Sequence, residues 1–552
     1  MSKNLRGLVR RVAVLSAVAG LAAAGGLLGA TPASAEDYAR IQGSGSSWAA
    51  NAISNWTSNG KKFGWEVEYA DTGSSKGRTD FLNHTVDFAV SDIPFQADPH
   101  DGSAIERPAP GSYAYMPIVA GGTSFMYHLT IGGKLVTNLR LSGQNIAKIF
   151  TGSLKTWNDP AIAADNPGLT LPATTIVPVV RSDGSGSSAQ FSLWMANQYP
   201  DIWNAFDPGV PETSYWPIKP GMKGQSGDPG VAGYIQQSYG EGSIGYVQYS
   251  YAKNAKFPVV KMLNKAGYYV EPTDQNVAVA LTHAQIETQN HDPAVYLTQK
   301  LEGVYNDTDP RTYPMSAYSY MILPTSTAQG LQIAAAKALT LGAFGKYLLC
   351  QGQQGIGQLG YSPLPINLVQ AAFDQLKLVP GVNVGDLAIN SCNNPTFSTD
   401  GTNTLAKTAP FPQACDKQGP TQCSTGTGGA TQSTTVKPAA RGTTSTSGRS
   451  AAGAGGTGGS GGTAGGGGTG AAGGGVASGE IDPNTGLAVD GSDGGGAADV
   501  PVAGPVSLNK TTSSGWGNSQ TLVVIAVLLL IAVFVAPPLL VSRIARRNGG
   551  RR

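Results

Sequence analysis

The pentapeptide Gly-Ser-Gly-Ser-Ser occurs twice, at Gly43–Ser47 and Gly184–Ser188, 141 residues apart. A related run, Thr72-Gly73-Ser74-Ser75, lies between them. Glycine lets a backbone come close to a ligand, serine hydroxyls donate hydrogen bonds, and the free N–H groups at a helix start favour an oxyanion. Taken singly, each run is also what turns and helix N-caps are made of. Three of them can wrap one anion from several sides. Arg181 stands just before the second run, in Arg181-Ser182-Asp183-Gly184-Ser185, where its guanidinium can offer paired donors to an oxyanion. Asp92 ends Val86-Asp87-Phe88-Ala89-Val90-Ser91-Asp92, a strand end facing the same kind of crevice. A carboxylate beside an anion is unfavourable on charge alone, but an ionised Asp is acceptor-only. It suits an oxyanion that keeps a proton, as phosphate does at neutral pH, and it rejects sulfate, which has none.

Each run follows a strand-like segment and precedes a helix-like one. Trp65–Tyr69, Val86–Val90, Ile176–Val180 and Ile244–Val247 are short β-branched or aromatic runs bounded by Gly, Pro or Asp. Ser47–Trp56 places Trp48, Ala52, Ile53 and Trp56 on one helical face, and Ile146, Ile149 and Phe150 repeat that pattern. Ala336, Leu339 and Phe344 follow it less regularly. The alternation predicts an α/β fold with largely parallel sheets. A competing chemistry exists, because Gly73-Ser74-Ser75-Lys76-Gly77 fits the Gly-x-Ser-x-Gly pattern of esterases. His283 or His291 could then complete a triad, but no oxyanion-loop motif accompanies the match.

Composition narrows the classes. The chain has 552 residues, 75 of them Gly, and only 13% are charged, about half the usual globular share. A net charge of +2 argues against an overall nucleic-acid binder. Five His and four Cys, with no Cys-x-x-Cys or His-Glu-x-x-His, leave no dedicated zinc or redox motif. Residues 424–517 hold 29 Gly in 94 positions, which predicts a disordered tether. Its coil dimensions give a reach of roughly 50–60 Å.

Both ends are membrane-related. Lys3, Arg6, Arg10 and Arg11 precede an apolar core at Val12–Leu28, and Ala33-Ser34-Ala35 fits cleavage before Glu36, so residues 1–35 read as a signal peptide. Thr521–Val541 runs without a charge for about 31 Å of helix, enough to cross a bilayer core. Arg543, Arg546, Arg547, Arg551 and Arg552 follow, and by the positive-inside rule residues 542–552 form a cytoplasmic tail. What remains, 36–423, is too long for one compact core and comfortable for two. The four cysteines of an exported chain form two disulfides with three possible connectivities. Cys350–Cys392 with Cys415–Cys423 is favoured, because the second pair closes a short loop beside the tether.

As a set, Gly43–Trp48, Thr72–Gly77, Val86–Asp92, Arg181–Ser188 and Gly242–Tyr246 resemble, in order and spacing, the phosphate-binding protein of the phosphate ABC transporter. Lys155–Pro160, Tyr313–Ser316 and Leu359–Pro365 extend the resemblance over most of 36–375. It implies an extracellular, non-enzymatic, monomeric two-lobe domain of the periplasmic-binding-protein-like (type II) fold, without cofactor or metal. Lobe 1 would take about 36–122 and 312–423, lobe 2 about 123–311, with crossings near Ile118–Phe125 and Tyr313–Leu323. Phosphate would be held by Ser47, Trp48 (backbone), Ser74, Asp92, Arg181, Ser185, Gly186 (backbone) and Ser187, with Asp183 orienting Arg181, and an ABC permease would be the partner. Ser47-Trp48-Ala49 stands where the family usually has Thr-Phe-Pro, and Lys76 and Arg78 replace neutral residues, either to draw anions in or as solvated surface. The long tether and C-terminal span are unusual for the family, so a surface sensor or adhesin on the same fold is the alternative expectation.

Overall fold

A computed structural model of the chain describes residues 38–438 apart from Gly330 and Thr399. Two compact units are distinguished, Met1–Thr446 and Ser447–Arg552, and all described residues lie in the first. The expected signal peptide, the transmembrane segment 521–541 and the basic tail fall outside the described residues. Among those described, no helix is long and apolar enough to cross a membrane.

Nine strands form one sheet: β1 (Ile41–Gly45), β2 (Val67–Ala70), β3 (Phe88–Ser91), β4 (Tyr113–Tyr127), β5 (Val177–Arg181), β6 (Lys223–Gln225), β7 (Ser243–Gln248), β8 (Ser316–Pro324) and β9 (Tyr361–Ser362). Their spatial order is β2-β1-β3-β8-β4-β7-β5-β6, with β9 also on β4. The two wings are parallel, as strand–helix alternation predicts. The centre, β3-β8-β4-β7, is antiparallel, so the expectation of largely parallel sheets holds only at the wings.

Strand β4 is the spine, with all fifteen residues buried. Its first part pairs with β8 and its last with β7. Pro117, which has no N–H to give, lies opposite a register shift between Ser319 and Tyr320, where a bulge absorbs the missing ladder bond. Gly121 and Gly122 mark the passage between halves. A Cβ on Gly121 would lie 2.8 Å from the Trp48 ring, and one on Gly122 would lie 2.4 Å from Pro272 Cβ. Two separate cores flank this passage. The first joins Trp56, Phe88, Tyr115, Tyr318 and Phe344; the second joins Phe125, Phe150, Trp157, Phe191, Trp203 and Tyr246. The described residues therefore form a two-lobe α/β domain.

The helices include α1 (Ala50–Gly60), α2 (Ser74–Leu82), α3 (Gly143–Phe150), α4 (Gly186–Gln198), α5 (Gly227–Gln236), α6 (Asp274–Leu281) and α7 (Ala335–Leu349), and of these α1, α3 and α7 lie where the apolar periodicity puts them. Disulfides join Cys350 to Cys392 and Cys415 to Cys423, the favoured pairs.

Two boundaries need correcting. Residues 404–423 pack on the second lobe, not the first. Arg140 donates to the Cys415 and Thr421 carbonyls, Asn138 to the Cys423 carbonyl, and Lys261 pairs with Asp416 at 2.7 Å. The chain therefore crosses a third time, between Thr396 and Asp416. Nor does structure stop at 423. Thr427 and Ala430 are buried, Val259 N donates to Thr427 Oγ1 at 3.0 Å, Thr137 N donates to Thr434 Oγ1 at 2.8 Å, and Lys437 N donates to the Gly168 carbonyl. This strap is held by backbone and hydroxyl hydrogen bonds to a finished lobe, which a composition test for apolar burial does not detect. A chain ending at Cys423 is expected to be less stable than one ending at Pro438 by about 2–4 kcal/mol, the sum of a few net hydrogen bonds and modest burial. Urea unfolding of the two truncations measures it, and equal midpoints would show that the strap contributes nothing.

Candidate functional site

Three chain segments converge where β1, β2 and β5 end. The identical pentapeptides behave differently. Gly43–Gly45 belongs to β1, with Gly45 at φ +136° pressed so tightly on β3 that a Cβ would lie 2.0 Å from the Val90 carbonyl oxygen. Gly184 and Ser185 form a loop instead, and Gly186–Ser188 open α4, with Ser185 Oγ accepting from Ser188 N. Helix α2 starts at Ser74 behind Gly73, whose φ of +94° favours glycine.

The glycines let the two lobes touch. A Cβ on Gly73 would lie 2.5 Å from Asp183 Oδ2, one on Gly184 2.5 Å from Ser75 Cβ, and one on Gly186 2.8 Å from both Asp92 Cβ and Ser74 Oγ. Ser75 N donates across the cleft to the Gly184 carbonyl at 3.1 Å. Gln190 Nε2 donates to the Asp92 carbonyl at 2.6 Å, and Thr213 Oγ1 to Asp101 at 2.8 Å. Any side chain in place of these glycines would wedge the lobes apart.

Arg181 is the central cation, 2% exposed. Its Nε and Nη2 donate to Asp183 at 2.8 and 2.5 Å, and Nη1 donates to Asp228 Oδ2 at 2.6 Å and towards Ser187 Oγ at 3.4 Å. Burial pulls the guanidinium down, yet Asp228 and Asp183 outweigh it and hold Arg181 above its ordinary range. Burial also raises Asp183, but the Arg181 hydrogen bond and charge win and leave it below the usual carboxylate range. The aromatic core fixes the strand end from behind. Phe150 and Phe191 pack on Tyr246 at 5.7 and 5.2 Å, and the Tyr246 hydroxyl accepts from Arg181 N and pairs with Ser188 Oγ at 2.6 Å.

Asp92 sits on the opposite lobe, 5% exposed. It accepts from Ser46 Oγ at 2.8 Å, from Ser74 Oγ at 3.1 Å and from Ser319 Oγ. Burial pushes its pKa up, against the pull of those hydroxyls and with help from the charge on Asp228. Trp48, Asp92, Thr123, Ser187, Gln190 and Ser319 line a small interior space at the meeting of the lobes. Asp92 lines this space directly and Arg181 reaches its edge through Ser187, so hydroxyl and amide groups from both lobes lie between a carboxylate and a cation, an arrangement suited to holding a protonated oxyanion.

Comparison with known proteins is consistent with this geometry. A family model described as a PBP superfamily domain matches residues 30–351, more than half of the chain. The chain belongs to the PBP superfamily. The phosphate-binding protein PstS of Xylella fastidiosa is 33% identical over 345 residues, 62% of this chain and 86% of that protein. That of Haemophilus influenzae is 31% identical over 346 residues, 61% of this chain and 92% of that one. Phosphate-binding protein PstS 2 of Mycobacterium tuberculosis is 31% identical over 324 residues, 58% of this chain and 80% of that one. A solved periplasmic phosphate-binding protein bound with phosphate aligns with a TM-score of 0.48 at 17% identity, covering 63% of this chain and 100% of that one.

In this PBP-superfamily domain Ser47, Trp48, Ser74, Asp92, Arg181, Asp183, Ser185, Gly186 and Ser187 all lie around the cleft. Ser185 and Ser187 are joined by a 2.9 Å hydrogen bond. Arg78 answers neither expectation set for it: it is buried, paired with Glu106 at 2.7 Å, and donates to Ser75 and Ser91 Oγ, so it props the loop from beneath. Lys76 is exposed and paired with Asp80. The esterase reading finds no support in its geometry, because the motif's serine, Ser75, accepts from Arg78 Nη2 at 3.2 Å, while His283 faces Asp307 and His291 packs on Tyr296. Sequence reasoning missed Ser46, Gln190, Ser319 and Asp228. Gln190 was within reach, one turn beyond Gly186 on α4. Asp228 hides in Gly227-Asp228-Pro229-Gly230, which reads as turn punctuation.

The raised pKa of Asp92 means that folding favours its protonated form. Its contribution to stability is therefore full below the ordinary carboxylate pKa and lost as pH rises through the raised value. Asp92→Asn is shaped like the protonated acid and escapes that loss. As pH rises from about 4 the variant should gain stability relative to the natural chain in urea titrations, until the natural Asp92 is fully ionised. A constant difference would mean that Asp92 titrates as an ordinary exposed carboxylate.

Proposed function

We propose that this domain binds one inorganic phosphate ion in the cleft and serves as the substrate-binding component of a phosphate ABC transporter, delivering the ion to a membrane permease. The observation that carries the reading is a buried Arg181 and a buried Asp92 on different lobes, each bonded to serine hydroxyls at the seam where the lobes meet. Relatives named as phosphate-binding proteins, matched over most of their length, support it. In this scheme Ser47, Ser74, Ser185 and Ser187, with the Trp48 and Gly186 amides and Arg181, donate to the phosphate oxygens. Asp183 holds Arg181 in place, and Asp92 accepts the P–O–H proton, which is how sulfate is turned away. The ion leaves chemically unchanged, so no catalytic residue is assigned, and no cofactor or metal enters the scheme.

Phosphate favours the closed arrangement because neither lobe alone completes its hydrogen bonds. Rotation about the β4 and β8 passages near Gly121–Thr123 and Tyr313–Ser316 would open it. For location, the signal peptide 1–35 directs export, 521–541 spans the membrane once, and Arg543–Arg552 stay in the cytoplasm, leaving a monomeric head outside on its tether.

Titration calorimetry of the purified chain is expected to show saturable phosphate binding at one site and little for sulfate. Losing a hydrogen bond to a charged ligand costs about 1.5–3 kcal/mol, roughly tenfold to a hundredfold, and Arg181→Ala should exceed that. Asp92→Asn should let sulfate compete better. Sulfate binding as tightly as phosphate in the natural chain would overturn the role given to Asp92.

A further inference from the structure

Asp228 stands at the start of α5 with no exposed surface. Its Oδ2 accepts from Ser47 Oγ at 2.7 Å and from Arg181 Nη1 at 2.6 Å. Its Oδ1 accepts from Gln248 N at 2.7 Å, and its own N–H donates to Ser47 Oγ at 3.0 Å. Ser47 belongs to the first lobe; Arg181 and Asp228 belong to the second. One carboxylate oxygen therefore joins the two lobes, and it does so through two of the donors assigned above to the anion.

A serine hydroxyl has a single proton to give. With that proton on Asp228, an arriving oxyanion cannot use it. The Arg181 fork is equally committed, since Asp183 takes Nε and Nη2 while Asp228 takes Nη1. Two carboxylates in contact with one buried guanidinium, and Asp92 nearby, leave the cleft with more negative than positive charge. An anion entering here meets a competitor of its own sign.

We propose, resting on the phosphate reading, that Asp228 is a built-in rival of the ligand: its Oδ2 stands in for an anion oxygen between Ser47 and Arg181, latching the lobes and weakening phosphate binding until it is displaced or protonated. The charged or titratable groups around it are Arg181 and Asp183 at the end of β5, Tyr251 after β7, Tyr361 on β9, and Asp92 after β3. Of these only Arg181 is a cation. Burial raises the Asp228 pKa against the pull of Arg181, so the folded site keeps its proton to higher pH than an exposed carboxylate would.

Asp228→Asn keeps the shape and an oxygen for Gln248 N, and it replaces a charged acceptor with an amide that can donate. In the full chain, calorimetry with inorganic phosphate near neutral pH should show the variant binding at least about tenfold tighter than the natural protein. The advantage should shrink as the solution is acidified, because the natural Asp228 then loses its charge too; phosphate's own protonation is common to both and cancels in the ratio. Without phosphate, hydrogen–deuterium exchange at the Ser75 amide, which bonds across the cleft to Gly184, should be faster in the variant because the latch is weaker. Asp228→Ser provides the same two readouts if the Asn form does not fold. If the natural chain binds phosphate and the variants bind equally or more weakly, the rival role falls while the phosphate reading stands. If neither natural chain nor variants bind phosphate, both fall together.

Discussion

Fifteen consecutive buried residues in one strand are the constraint from which the rest follows. Every N–H and carbonyl of β4 needs a partner, and no single neighbour is long enough to supply them. The strand takes β8 along its first part and β7 along its last, and so becomes common property of two lobes. The cores then grow separately on either side of Gly121–Gly122, where Trp48, Tyr313 and Pro272 crowd the backbone too closely for any Cβ. A cleft follows as a matter of geometry, since two hydrophobic cores joined by a shared strand leave a seam between them. The strand ends that open onto the seam are those carrying Ser46, Asp92 and Arg181.

The seam is polar for a reason that packing alone does not dictate. Burying Arg181 without partners would be prohibitive, and Asp183 and Asp228 together neutralise more than its charge. Asp92 is then held by the hydroxyls of Ser46, Ser74 and Ser319 rather than by a cation, which suits a site that must release what it binds. The aromatic cluster around Phe150, Phe191 and Tyr246 links this chemistry to the second core, because the Tyr246 hydroxyl fastens both the Arg181 backbone and the start of α4.

Much of this is legible in the residues themselves. The repeated Gly-Ser runs, Arg181 and Asp92 mark the cleft because each sits at a strand end followed by a helix, and the strand and helix patterns near them are periodic and local. Long-range choices are not written that way. The antiparallel centre of the sheet depends on β8 inserting between β3 and β4, about two hundred residues distant in sequence. Asp228 is invisible because its role arises only when α5 of one lobe meets Ser47 of the other. The strap at 424–438 escapes for a different reason: a Gly- and Thr-rich stretch can be held by hydrogen bonds to a lobe that has already folded, and composition measures only what a segment could bury by itself.

That strap also decides how the domain carries mechanical load. The described chain leaves it at Lys437, whose amide is bonded to Gly168 on the second lobe. Tension applied to whatever follows is borne by that lobe through Thr427, Thr434 and the Cys415–Cys423 loop. The first lobe is coupled to it through β4, β8 and the third crossing, like a jaw on a fixed mount. A pull on Pro438 would therefore load the second lobe first and reach the cleft only through the shared strands, reorienting the domain rather than prising the cleft open.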